Sequence, residues 1–191
     1  DGKCEDLRHQ CSLRAAIEES MNMNGGTGVP CNLTINIPGT INISVASGGA
    51  MTPPDGSVLH GGQQTTLHTT SSSVFILGHN TKVHGLKFTG GLYSLSVEGD
   101  GNSITGNTFS NQQVAALLVS GVGDTIGGSA PSGRNIFTHN GMGAIHLSGN
   151  NNVVVGNYIG VDALGNASGS QYGVFDTGDN NTIGGTDPGT R

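Results

Sequence analysis

The sequence predicts an all-β fold, a parallel β-helix with about 21 to 22 residues per coil, three short strands in each coil and one α-helix at its amino end. Three observations predict it. DTIGGSAPSGRN at 124–135 is nearly repeated as NTIGGTDPGTR at 181–191. Short apolar runs close on Gly78, Gly99, Gly121, Gly149 and Gly178, spaced 21, 22, 28 and 29 residues apart. A second marker, Val83, Ile104, Ile126, Val154 and Ile183, repeats the same four spacings. Two independent markers in one phase define a coil, and periods of about 20 to 50 residues mean stacked repeats.

Residues 11–23, CSLRAAIEESMNM, read as the cap helix: Ser12 is placed to cap it, and Leu13, Ala16, Ile17 and Met21 fall on one face. The cap segment is assigned to residues 1–24 and the β-helix to 25–191. Such a lid shields the unpaired backbone that an open solenoid end presents. NLTINI and TINISV supply the first strands, then GSVLHGG and TTLHTT the next coil.

From residue 74 onward the strands stack in columns. Side chains alternate faces along a strand, so Val74, Leu95, Leu117, Ile145 and Val174 form one inward column of the first strand, and Ile76, Val97, Val119, Leu147 and Asp176 a second. Between them Phe75, Ser96, Leu118, His146 and Phe175 are expected to face out. The second strand contributes the Val83 to Ile183 markers, and the third contributes Phe88, Phe109, Phe137 and Ile159. The two longer spacings each hold a removable piece, SAPSGR after TIGG and VDALGNA after NYIG, which read as loops on a constant rung. Asn102, Asn152 and Asn181 align at a turn with Asp124 in the same column, and Asn107 aligns with Asn157, the pattern of an amide ladder.

Composition narrows the function classes. A tenth of the residues are charged, the net charge is −6, and Lys plus Arg number 7, which argues against nucleic-acid or acidic-membrane partners. No apolar run approaches the ~18 residues of a spanning helix, so membrane insertion by a helix is not expected. The chain begins at Asp1, which reads as a mature or trimmed product. Cys4 and Cys11 bracket a short loop and are the favoured disulfide, with Cys31 either free or taking one of them. A disulfide implies an oxidising, extracellular setting. Asn32, Asn42 and Asn166 open NLT, NIS and NAS sequons.

CSLRAAIEES, with a cysteine seven residues ahead of it, resembles the CSLREA-type amino-terminal segment of bacterial secreted and surface proteins. TIGG, GNYIGVDALGNA and GRNIF resemble the right-handed parallel β-helix repeats that follow that segment, and the likeness covers nearly the whole chain. It implies export, residence at the cell surface or beyond, and right-handed coiling. Ala15 departs from the pattern, standing where Glu is usual and removing a reciprocal capping box with Ser12.

Function must then be argued from a site. A hydrolase of this architecture needs two convergent carboxylates, for which Asp176, Asp179 and Asp162 are the candidates. A lyase needs a base beside carboxylates that hold Ca²⁺. Arg134 is the candidate base, and it occupies the loop position equivalent to Arg191. Glu98, Asp100 and Asp124 lie near one edge of adjacent coils and are the candidate cation ligands. No other cofactor is expected. His60 and His84 are expected to stack on successive coils.

The favoured reading is a non-catalytic extracellular or cell-surface module, a scaffold or adhesion segment contacting a polysaccharide or a surface protein through Phe75, Leu118, His146 and Phe175. The competing reading is a polysaccharide lyase or glycoside hydrolase acting on an extended glycan. Since the second copy of the repeat stops at Arg191, where the first runs on into a strand, the chain is expected to be a trimmed piece of a longer β-helix. An uncapped last coil would also permit end-to-end self-association.

Overall fold

The computed structural model describes residues 13–23, 34–37, 40–42, 49–62, 65–70, 73–162 and 164–186. Cys4, Cys11, Cys31, Ser12, Asn32 and Arg191 lie outside them, and with them the disulfide and the helix cap. The chain is a parallel β-helix whose coils stack their strands into three sheets.

The first sheet stacks Phe75–Leu77, Leu95–Val97, Ala115–Val119, Gly143–Leu147 and Tyr172–Asp176. The second stacks Thr34–Ile37, Val58–Gly61, Lys82–His84, Ser103–Thr105, Thr125–Gly127, Val153–Val155 and Thr182–Ile183. The third stacks Thr40–Asn42, Thr66–Thr69, Lys87–Gly90, Thr108–Ser110, Ile136–Thr138 and Tyr158–Ile159. Every pairing between these strands is parallel, as strands in one phase of a coil must be. The helix Leu13–Met23 adds Ile17 to the same core, with Leu13 packed against it. Arg14 ties the helix down through a 2.8 Å hydrogen bond from Nη2 to Gly49 O. No described helix is long and apolar enough to cross a membrane.

Register confirms the markers: Val83 pairs with Ile104, Ile104 with Ile126, Ile126 with Val154 and Val154 with Ile183. It corrects the expected phase of one strand. Phe75 pairs with Leu95 and Leu77 with Val97, so Phe75 points inward and Ile76 takes its place in the outward column. The cause is one missing residue. In later coils Glu98, Ser120, Ser148 and Thr177 stand between the last core residue and the glycine, whereas Leu77 runs directly into Gly78. Counting back from the glycine therefore shifts that strand by one.

Four of the five phenylalanines consequently fill the interior. Phe88, Phe109 and Phe137 stack face to face at 5.1 and 4.9 Å, and Phe75 meets Phe88 edge-on at 6.2 Å. Leu, Ile and Val from the other two sheets close the core around them. Offset aromatic stacks are favourable beyond their buried area, and repeating the same side chain per rung keeps the register unique.

Each corner carries a ladder of side chains that serve the backbone of the preceding coil. At the first corner Thr81, Asn102, Asp124 and Asn152 donate their backbone N–H groups to the Oδ1 atoms of Asn102, Asp124, Asn152 and Asn181, at 2.7 to 2.8 Å. At the second, Leu86, Asn107 and Asn135 donate to Asn107, Asn135 and Asn157 at 2.9 to 3.2 Å. At the third, Gln112 donates to Asn140 and Asn140 to Ser170, both at 3.2 Å. Asn135 is a member that spacing alone missed, because the SAPSGR insertion displaces it. The residue before each first-corner member has positive φ: Asn80, Gly101, Gly123, Asn151 and Asn180, from 56° to 71°. Asn and Gly occupy that conformation at least strain, which explains the paired asparagines of this corner.

Asp124 is the exception in its ladder. Its Oδ1 accepts from Asn102 N and Nδ2, but Oδ2 is buried without a partner among the described residues. A Cβ placed on Gly121 would meet Gly99 O and Asp124 Oδ2, just as one on Gly178 would meet Gly149 O and Asn181 Nδ2. Asn181 Nδ2 donates to Gly149 O at 2.9 Å, so Asp124 Oδ2 holds the place of a donor. Burial raises this carboxyl from the ordinary 3.8 to about 6, against the opposing hydrogen bonds from Asn102.

Two predictions follow from the ladders. Since the folded chain holds the Asp124 proton more tightly than the unfolded chain, the contribution of Asp124 to stability falls as pH rises from about 4 to about 6 and levels off above that, by at most about 3 kcal/mol. Asp124→Asn supplies the missing donor, so its unfolding midpoint should exceed the wild type's at pH 7.5 and that margin should shrink by pH 4.5. An equal margin at both pH values would refute the assignment. Asn135→Ala leaves Asn107 N and Ile104 O without the partners they now have. It should cost about 2 to 5 kcal/mol in urea unfolding, and a loss below 1 kcal/mol, on the order of an exposed substitution, would count against the ladder.

Candidate functional site

The outward column of the first sheet is Ile76, Ser96, Leu118, His146 and Phe175. Its lower part is closed: Ser96 is buried and its Oγ donates to Glu98 Oε1 at 3.1 Å. Toward the last described coils it opens into a groove of about 240 Å³ lined by Val114, Ala115, Met142, Gly143, Ile145, His146, Tyr172 and Phe175. Met142, Tyr172 and Phe175 are about half exposed, at 53%, 48% and 49%. The His146 and Phe175 rings meet edge to face at 5.1 Å, and Tyr172 lies 6.3 Å from Phe175.

The structure therefore brings together His146 and Phe175 of the expected surface. Leu118 pairs with His146 one coil away, outside the groove lining, and Phe75 belongs to the core. Tyr172 and Met142 were missed. Tyr172 shares the inward parity of Val174, but it opens its strand opposite Gly143, whose missing side chain leaves the groove beside it. The Gly143–Tyr172 pairing was readable once the VDALGNA insertion was removed; the exposure of Met142 was not.

The expected acid and base residues do not converge on this groove. Asp176 does occupy the inward column, paired with Leu147, yet its side chain is exposed because no described coil covers it. Its Oδ1 accepts from Gly178 N at 3.0 Å and from Asn181 Nδ2 at 2.8 Å, the bonds of a turn-forming aspartate. The backbone N–H of Asp179 donates to Asn150 Oδ1 at 2.7 Å. Asp162 organises its own loop, accepting from Asn166 Nδ2, Asn166 N and Leu164 N, and these bonds, the Asn166 side chain first, hold its carboxyl below the ordinary range. A lowered carboxyl is the wrong poise for a general acid. Arg134 lies at the corner between the second and third sheets, where Nη1 donates to Tyr158 Oη at 3.0 Å.

The expected cation ligands are likewise engaged one by one. Asp124 turns into the corner ladder, and Glu98 is held by Ser96. Asp100 Oδ1 accepts from Val122 N at 2.8 Å, while its Oδ2 lies 3.7 Å from His79 Nδ1. Among the described residues no three His, Cys, Asp or Glu side chains form a group able to hold a metal. Each of the three carboxylates has a hydrogen-bond partner of its own, Glu98 within its coil and Asp100 and Asp124 across coils, and they do not share a site. His60 and His84 do stack, at 5.4 Å with planes 8° apart, and His84 Nδ1 lies 3.1 Å from Thr105 Oγ1 of the next coil.

No family model matches the chain, and neither a curated protein nor a solved structure matches it significantly.

Proposed function

We propose that this chain is an extracellular or cell-surface β-helix module that contacts carbohydrate without transforming it. The observation that carries this reading is the half-exposed aromatic cluster of Tyr172, Phe175 and His146 beside a shallow apolar groove. Aromatic faces with a polar tip suit a ligand that is apolar on its C–H surface and hydrogen-bonding at its rim. A sugar ring is such a ligand. Stacked strands rise by about 4.8 Å per coil, comparable to the length of one pyranose ring, so an extended glycan lying along the coils would meet equivalent positions in turn.

Residence outside the cell rests on the CSLRAAIEES resemblance. The non-catalytic part rests on the carboxylates described above: Asp162 is committed to its loop, Asp176 to its turn and Asp124 to its ladder.

A glycan array probed with the 191-residue chain should retain it on a subset of oligosaccharides, and Phe175→Ala should weaken that retention about threefold to tenfold, the range of a single aromatic contact. Because Phe175 is half exposed, its removal should leave the unfolding midpoint nearly unchanged. An array with no retained glycan, or one bound equally by the Phe175→Ala and Tyr172→Ala chains, would overturn the proposal.

A further inference from the structure

A second cavity, of about 290 Å³, lies at the corner between the second and third sheets. Lys87, Thr108, Ile136 and Tyr158 form its floor, a single outward column whose members pair in register from coil to coil. The SAPSGR insertion builds its wall with Pro131 and Arg134. That wall is fixed to the coil: Gly106 N donates to Gly133 O at 3.1 Å, and Gly133 N to Ala130 O at 2.9 Å. Arg134 is laid over the Tyr158 ring, with its guanidinium carbon 5.3 Å from the ring centre.

Charge is what sets this cavity apart. The chain has seven Lys and Arg residues and a net charge of −6, yet two of those cations line one small pocket and no acidic residue lines it with them. Neither Lys87 nor Arg134 has a carboxylate partner among the described residues. Arg134 Nε is buried with no hydrogen-bond partner there either, the condition of a donor whose acceptor is not part of the fold. An anion entering the pocket would meet both cations with no acidic residue in the lining to compete for them.

We infer that this pocket is a binding subsite for the carboxylate of an acidic sugar. Lys87 and the remaining N–H groups of Arg134 take the carboxylate, which guanidinium and ammonium groups hold by charge-assisted hydrogen bonds. Tyr158, Ile136 and Pro131 face the ring that carries it, and Thr108 supplies a hydroxyl. A bare oxyanion would use the cations and leave this apolar wall wet, so a uronate ring accounts for more of the lining than an inorganic anion does. The subsite stands on a different sheet from the Phe175 groove and is tested separately.

The test is calorimetry on the full chain with tri-galacturonate, its methyl ester, inorganic sulfate and a tri-aspartate peptide. The expected result is binding of tri-galacturonate that is about tenfold tighter than that of the methyl ester, since esterification removes the charge and keeps the shape. Lys87→Ala and Arg134→Gln should each weaken it about fivefold or more, whereas Lys82→Ala, which removes the same charge outside the pocket, and Phe175→Ala should not. Lys87 is a partly exposed strand residue, so Lys87→Ala carries the test if Arg134→Gln fails to fold. No binding at millimolar ligand, equal binding of the methyl ester, equal binding of sulfate or tri-aspartate, or equal loss with Lys82→Ala would each overturn the assignment.

Discussion

The fold depends on the corner hydrogen bond in which a side-chain carbonyl of one coil receives the backbone N–H of the coil before it. Strands satisfy their own backbone through the parallel sheets, but a corner turns the chain out of register with its neighbours and leaves buried donors behind. Asn102, Asn107, Asn135 and Asn152 are almost fully buried, and each meets such a donor from the preceding coil. Asn107, Asn135 and Asn152 also donate Nδ2 to a carbonyl of that preceding coil. One side chain thus closes both halves of the corner. An Asp can do only the accepting half while ionised, which is why, among the described rungs, Asp124 is the one whose fit depends on a proton.

This constraint also explains the composition. A ladder position needs Asn or a close substitute, and the residue before it needs a left-handed backbone, so Gly and Asn accumulate in phase without any loss of order. The interior then has little room for variety. Phe88, Phe109 and Phe137 repeat because a stacked ring fills the same space at the same height in every coil. A different side chain in the middle of that column would either leave a void or displace its neighbours.

Most of the fold was legible because it is periodic. The second and third strands, the Phe column, the first-corner ladder and the two insertions follow from spacing alone, and register agrees with each. Phe75 was misread because Val74 with Ile76 and Phe75 with Leu77 are equally apolar, so alternation could not choose between them and one absent corner residue decided the phase. The candidate site was less legible. His146 and Phe175 could be placed by column, but Tyr172 depends on a strand start behind an insertion and Met142 on a turn outside the repeat. Lys87 and Arg134 are 47 positions apart by number and come together only because the insertion folds back across the coil.

Both cavities sit where the period is broken, and the ladders make this intelligible. A coil that must satisfy its neighbours on two sides can vary only where residues are added outside the rung. The first insertion places Arg134, with φ of −71°, directly before the ladder residue Asn135, where coils with no insertion at this corner have Gly106 before Asn107 and Gly156 before Asn157. It thereby adds a second long cationic side chain to the corner pocket that Lys87 already lines. The second insertion is bound to the coil through His139 and Ser168, whose Nδ1 and Oγ lie 2.9 Å apart, and it delivers Ser170 to the third ladder in place of an amide. The strand that follows begins at Tyr172 beside the aromatic groove. Each added loop is therefore tied to a neighbouring coil by hydrogen bonds, Gly106 N to Gly133 O in the first and His139 to Ser168 in the second. The regular outward columns supply the floors of both cavities, and the residues added at or after an insertion complete their walls.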